Sequence, residues 1–195
     1  MTALLRMRVL AVLALLVLPG CLPDTINPLG DPAAAEPDTD LLGQWVGTLD
    51  GTATKLEITA EDGGMLKFRL DPIAPGDKDQ WVVLKGFPAT AKGNKYVNVK
   101  FFEEKDKVYD QTRENYYILR YQVGRDGTLT AWGMAEQPVV NAIVDGFVNG
   151  AVDPSTEGRI IHITDSTVVV RQFVEISDPD RLFTVKYASF DRPRQ

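Results

Sequence analysis

Residues able to do covalent or acid–base chemistry are few in this chain. Histidine occurs once, at His162, and cysteine once, at Cys21. The stretch "HITDS" brings His162, Asp165 and Ser166 together, the residue types of a nucleophilic triad. A triad is defined by geometry, however, and on a strand residues three apart point to opposite faces. The stretch instead reads as an outward-facing strand histidine followed by a helix cap. One histidine and one cysteine exclude metal sites built on His/Cys clusters. "EEKDKVYDQTRE" holds Glu103, Glu104, Asp106, Asp110 and Glu114, but Lys105, Lys107 and Arg113 are interleaved. With no Ca²⁺-loop spacing, it reads as a solvated hairpin loop. The glycines fall at turns and form no phosphate-cradling motif. The two acids of a glycosidase can lie far apart in sequence, but nothing points to such a pair. The chain does not read as an enzyme, and no cofactor or metal is expected.

Cys21 has a context of its own. Arg6 and Arg8 are the only charges before it, and "VLAVLALLVL", Val9 to Leu18, is unbroken apolar sequence. A membrane-spanning helix needs about 20 such residues. A basic start, a short apolar core and a small-residue site mark a secretory signal peptide. Leu18-Pro19-Gly20-Cys21 resembles the bacterial lipobox. That resemblance implies diacylglycerol on the Cys21 thiol, cleavage just before it, and acylation of the new amine. One acyl chain holds only marginally, at about 0.8 kcal/mol per buried CH₂, whereas two or three make a stable anchor. Without Cys21 the chain has no thiol and no possible disulfide. Leu22, rather than Asp, follows the cysteine. By resemblance to the enterobacterial sorting rule, that leans toward the outer membrane, facing the periplasm.

"LPDTINPLGDPAAAEPDTD" comes next, broken by Pro23, Pro28, Pro32 and Pro37 and rich in Asp. It has no apolar period, and its composition predicts an extended tether reaching on the order of 60 Å at about 3.1 Å per residue. The expected organisation is therefore a signal peptide over 1–20, a lipidated cysteine and tether over 21–40, and a single β-rich domain over 41–195. Lys and Arg number 21 against 27 Asp and Glu, a net charge of −6. Loss of Arg6 and Arg8 makes the mature chain more acidic still. No basic run suits nucleic acid.

Within the domain the apolar period is two. Leu56 and Ile58 alternate with Lys55, Glu57 and Thr59, and Leu66, Phe68 and Leu70 with Lys67 and Arg69. Such alternation marks strands with one buried face. Asp50-Gly51, Asp62-Gly63-Gly64 and Asp126-Gly127 read as turns. "QWVVLKGF", "KYVNVKFF", "ENYYILRYQV" and "TLTAWGM" continue the series, making seven strand candidates before Met134. After Met134 the period changes. Val140, Ile143, Val144, Phe147 and Val148 share one helical face, with Gly150 as the stop. "RIIHIT" is a short strand. In "DSTVVVRQFVEI" the β-branched Val168 to Val170 leave helix and strand open, with helix favoured. "RLFTVKYASF" is a closing strand with Phe183, Val185 and Tyr187 on one side.

Gly43-Gln44-Trp45, at the start of the domain, resembles the Gly-x-Trp that opens the first barrel strand of lipocalins and other calycins. The resemblance implies that Trp45 plugs one end of a barrel and is covered by a cation from the last strand, Lys186 or Arg192. The family's second motif, a Thr-Asp-Tyr-like turn, is absent. The expected fold is mainly β: an antiparallel meander closing into a small calycin-like barrel or half-barrel, with one or two short helices in the C-terminal third. Trp45, Trp81 and Trp132, with Tyr116, Tyr117 and Tyr121, fill a core or line a pocket. Small barrels of about eight strands do either.

Two functions fit these expectations. One is a membrane-anchored binding module for a small apolar ligand or lipid. The other is a structural or accessory lipoprotein of an envelope complex with no small-molecule ligand. An enclosed cavity favours the first, and a filled core with an exposed apolar patch the second. The expected partners are the membrane, through acylated Cys21, and an apolar ligand or an envelope protein.

Overall fold

The computed structural model describes residues 22–73, 80–105, 107–155 and 158–194. Cys21 and residues 1–20, read above as a signal peptide, lie outside the described residues. The strands are β1 (Asp24–Thr25), β2 (Gly43–Leu49), β3 (Thr52–Ala60), β4 (Leu66–Pro72), β5 (Val82–Ala91), β6 (Asn94–Glu104), β7 (Lys107–Val108), β8 (Tyr117–Val123), β9 (Leu129–Gly133), β10 (Gly150–Ser155), β11 (Gly158–Ile163) and β12 (Val185–Asp191). The helices are α1 (Glu136–Val144), α2 (Thr167–Ile176) and α3 (Pro179–Leu182).

Eight strands, β2-β3-β4-β5-β6-β8-β9-β12, pair antiparallel in sequence order. The pairing of β12 with β2, from Ala188 opposite Leu49 to Asp191 opposite Val46, closes the ring. The barrel is thus closed rather than a half-barrel. Alternation dictates its inside. Trp45 stands opposite Leu56, Leu56 opposite Leu70, and Leu70 opposite Val82, so one inward row crosses four strands. Cross-strand neighbours of this kind are the unit of sheet stabilisation. At the β2–β3 turn Asp50 and Gly51 both have positive φ, as a two-residue hairpin with matching twist requires.

Strand polarity gives the barrel two ends. At one lie the entry to β2, the Asp62–Gly64 turn, the β5–β6 and β8–β9 turns, and the exit of β12. At the other lie the Asp50-Gly51 turn, the exit of β4, the entry of β5, the β6–β7 hairpin and both ends of the long excursion from β9 to β12. That excursion folds back over the outside of the barrel. Its side chains, among them Val139, Val148, Ile161, Ile163, Val170, Phe173, Leu182 and Phe183, build a second core against the outward-facing Tyr96 and Ile118. As a result β6 is buried on both faces around Tyr96–Val99.

The reading of Leu22–Asp40 as an extended tether is corrected. Leu22 is 7% exposed and packs on Tyr187. β1 pairs parallel with β11, and Thr25 and Tyr116 exchange backbone hydrogen bonds at 2.9 and 2.8 Å. Leu29 is fully buried, and its N–H donates to Asn98 Oδ1 at 2.7 Å. Asp31 and Asp38 cap 3-10 turns at Pro32–Ala34 and Thr39–Leu41. The segment is a strap running down the barrel flank from one end to the other. Point contacts hold it, which is why no apolar period shows.

Three further expectations change in detail. α1 stops at Val144, not near Gly150. Gly146, at φ +73°, closes it with Phe147 N–H to Ala142 C=O at 2.9 Å and Gly146 N–H to Ile143 C=O at 3.2 Å. This is a Schellman stop. It leaves Val144 and Phe147 exposed, and Gly150 instead begins β10. The segment after Ser166 is helical: Val170, Phe173 and Val174 face the outer core at helical spacing. In β12 a register shift between Lys186 and Ala188 buries Tyr187, Ala188 and Phe190. Val185 is consequently exposed, whereas simple alternation had placed it with Tyr187.

Candidate functional site

The candidate site is the barrel interior, built up from its floor. Leu41 enters at the end of the strap, and Trp45 sits above it at 1% exposure. Trp45 Nε1–H donates to Leu41 C=O at 2.8 Å. The Arg192 guanidinium lies 3.7 Å from the centre of the Trp45 ring and donates to Leu42 C=O at 2.6 Å and Asp40 C=O at 2.9 Å. Of the two candidate cations, Arg192 is the one that covers the tryptophan. Lys186 is exposed and pairs at the far end of β12, opposite Trp132. Gly43 has φ +109°, and a Cβ there would stand 2.8 Å from Arg192 Nη1. Glycine therefore satisfies both the backbone turn into β2 and the seat of the guanidinium.

Above the floor, Leu56, Ile58, Phe68, Leu70, Val97 and Val99 are among the walls of a cavity of about 90 Å³. Polar groups reach it only at its edges, from Asp50, Tyr121 and Tyr187. The Tyr121 hydroxyl turns away to donate to Asp38 Oδ2 at 2.7 Å. Burial, and then the Asp38 carboxylate, push the Tyr121 phenol pKa up. Burial works against ionisation of Asp38, but hydrogen bonds from Lys95, Tyr121 and the Asp40 N–H outweigh it and hold the carboxyl below its usual range. At the other end Leu22 packs with Tyr187 on Leu49, Phe101, Tyr117 and Leu119. Burial raises the Tyr117 phenol to about 12, with a smaller contribution from Asp24. Neutral phenols and aliphatic walls can exclude water and hold an apolar group. They supply no nucleophile.

A second cluster lies where the strap meets the outer sheet. His162 Nδ1 is 2.6 Å from Asp24 Oδ1, and Asn115 Nδ2 donates to the same oxygen at 2.9 Å. Burial raises the Asp24 carboxyl, with hydrogen bonds from His162 and Asn115 pulling partly back. His162 is thus a partly buried residue of the middle strand β11, with a partner contributed by a segment that composition assigned to the tether. Asp165 instead accepts from the Asn149 backbone and side chain. Ser166 caps α2 without a side-chain bond. The three residues of "HITDS" do not converge.

The remaining aromatics divide. Tyr121 lines the cavity and Tyr117 borders it. Trp81 lies beside Arg69, Tyr116 beneath Lys100, and Trp132 beneath Arg120. In the acidic stretch, Glu104 faces Lys107 at 4.0 Å and Asp110 faces Arg113 at 3.6 Å. Among the described residues no cluster of His, Cys, Asp and Glu could hold a metal ion, and no helix is long and apolar enough to cross a membrane. Sequence reasoning missed Asp38, Lys95 and Leu22. The Asp31-Pro32 pair was a legible turn signal, since Asp is a good cap and Pro suits the first helical position.

No protein-family model matches the chain, no curated protein matches it, and no solved structure matches it.

Proposed function

We propose that the chain is an envelope lipoprotein, anchored through Cys21, whose calycin-like barrel binds a small apolar ligand. The observation that carries this reading is the apolar cavity inside a closed barrel, walled by Leu41, Leu56, Leu70, Val97 and Phe190. Burial of apolar surface is worth about 25 cal/mol per Å², so binding strength comes from water exclusion and not from the few edge hydroxyls. The size of the cavity narrows the ligand. A volume of about 90 Å³ is below the roughly 150 Å³ of an engineered cavity that takes benzene. A short alkyl segment fits, and a whole lipid does not without side-chain movement.

A second reading, an accessory lipoprotein without a small ligand, draws on the same small volume and on exposed Val144 and Phe147. Calorimetric titration of the domain with propanol, small enough for the cavity, separates the two. The binding reading expects saturable heat that Val99→Phe, which fills the cavity, removes while the fold is kept. Absence of saturable binding in the unaltered domain favours the accessory reading.

A further inference from the structure

We propose that the protein stands on the bilayer with the Leu22 end of its barrel against the lipid surface, rather than hanging below it on a spacer. This rests on the reading of Cys21 as the acylated residue. Leu22 is buried on Tyr187, and Gly133 lies against its side chain, where a Cβ would stand 2.5 Å from Leu22 Cδ2. Both contacts sit at the end of the barrel away from Trp45. Consecutive Cα atoms are about 3.8 Å apart, so an acyl chain on Cys21 starts within one residue of that end.

No slack remains to separate anchor from barrel. From Leu22 onward the chain is fastened at Asp24 by His162, at Thr25 by Tyr116, at Leu29 by Asn98 and at Asp38 by Lys95 and Tyr121. The residues that composition offers as a spacer are spent on the barrel flank.

The same end carries unpartnered apolar side chains. Val108 is 70% exposed on the β6–β7 hairpin, Ile73 is 43% exposed just past β4, and Val185 is exposed at the start of β12 opposite Gly133. Exposed Lys105 and Lys107 precede Val108 on the same hairpin, with the Lys107 ammonium over the Tyr109 ring at 3.7 Å. Lysine stems can lie along an apolar boundary with their ammonium groups in the headgroups. At the opposite end the exposed turn and terminal residues are charged and of both signs, with Asp62, Asp126 and Asp191 beside Lys92, Arg125 and Arg192, and present no such apolar rim. A short anchor and an apolar rim at one end thus favour the same orientation.

The test uses the full lipidated chain in phosphatidylethanolamine–phosphatidylglycerol vesicles containing nitroxide-labelled acyl chains. Acylation occupies Cys21, so an introduced cysteine takes a fluorophore selectively. Val108→Cys reports the Leu22 end, with Ile73→Cys as a second reporter there, and Asp62→Cys reports the opposite end. Quenching several-fold stronger at 108 and 73 than at 62 is expected. Equal, weak quenching at all three positions would overturn the proposed orientation and leave the anchor intact. Intact mass of the same preparation shows whether Cys21 is acylated. An unmodified Cys21 removes the anchor reading and this proposal with it, whatever the quenching.

Discussion

Gly43, Trp45 and Arg192 act as one unit at the residue scale. The tryptophan fills the floor, the guanidinium covers its ring and ties the carbonyls of residues 40 and 42, and the glycine leaves room for both. Trp45→Ala should cost about 3–5 kcal/mol, through lost transfer energy and the cavity left behind, against the 5–15 kcal/mol that a domain usually has. Trp45→Phe should be far milder, and thermal unfolding of the two variants checks this. A neutral alanine would remove Trp45 from the floor of the core. Asp38 has a different signature. Its folded pKa lies below the unfolded value, so its contribution is complete above the ordinary carboxylate range and is lost as pH falls through the lowered folded value. Asp38→Ala should lower stability near neutral pH by about 1–3 kcal/mol, with a difference from wild type that shrinks toward acid pH. A pH series of melting curves reads it, and an unchanged difference at low pH would contradict the Lys95–Asp38–Tyr121 clamp. Gly43 and Trp45 were legible because they sit two residues apart at the start of the domain. The choice of Arg192 over Lys186 was not, because it depends on which end of β12 meets the floor.

Strands were the legible elements. Their one-sided burial writes itself into period-two alternation, and all seven strands expected before Met134 are barrel strands. Less legible was everything held by isolated contacts. The strap buries Leu22, Leu29 and Leu41 at wide intervals, so its proline and aspartate composition imitates a linker. α1 ends early because Gly146 takes the left-handed stop, and apolar spacing alone could not reveal that Val144 and Phe147 lie beyond the packed face. β10 hid behind its Asp153-Pro154. The strap carries its own prediction. A chain beginning at Leu41 should melt well below one beginning at Leu22, and Leu29→Ala alone should cost about 2–5 kcal/mol. Equal melting of the two chains would show the strap to be a loose tether after all.

The whole molecule comprises an apolar barrel interior and an outer core that share the wall formed by β5, β6 and β8. The strap crosses that wall and joins the two barrel ends. The arrangement puts the cavity between an arginine-covered floor and the end from which the chain leads back to Cys21. We propose that the interior takes an apolar ligand. Methyl NMR during titration with propanol tests that most directly, because each wall reports separately. The inward methyls of Leu70, Val97 and Val99 should shift saturably, while those of Ile163 and Val170 in the outer core stay in place. Shifts confined to the outer core, or none at saturating alcohol, would contradict it.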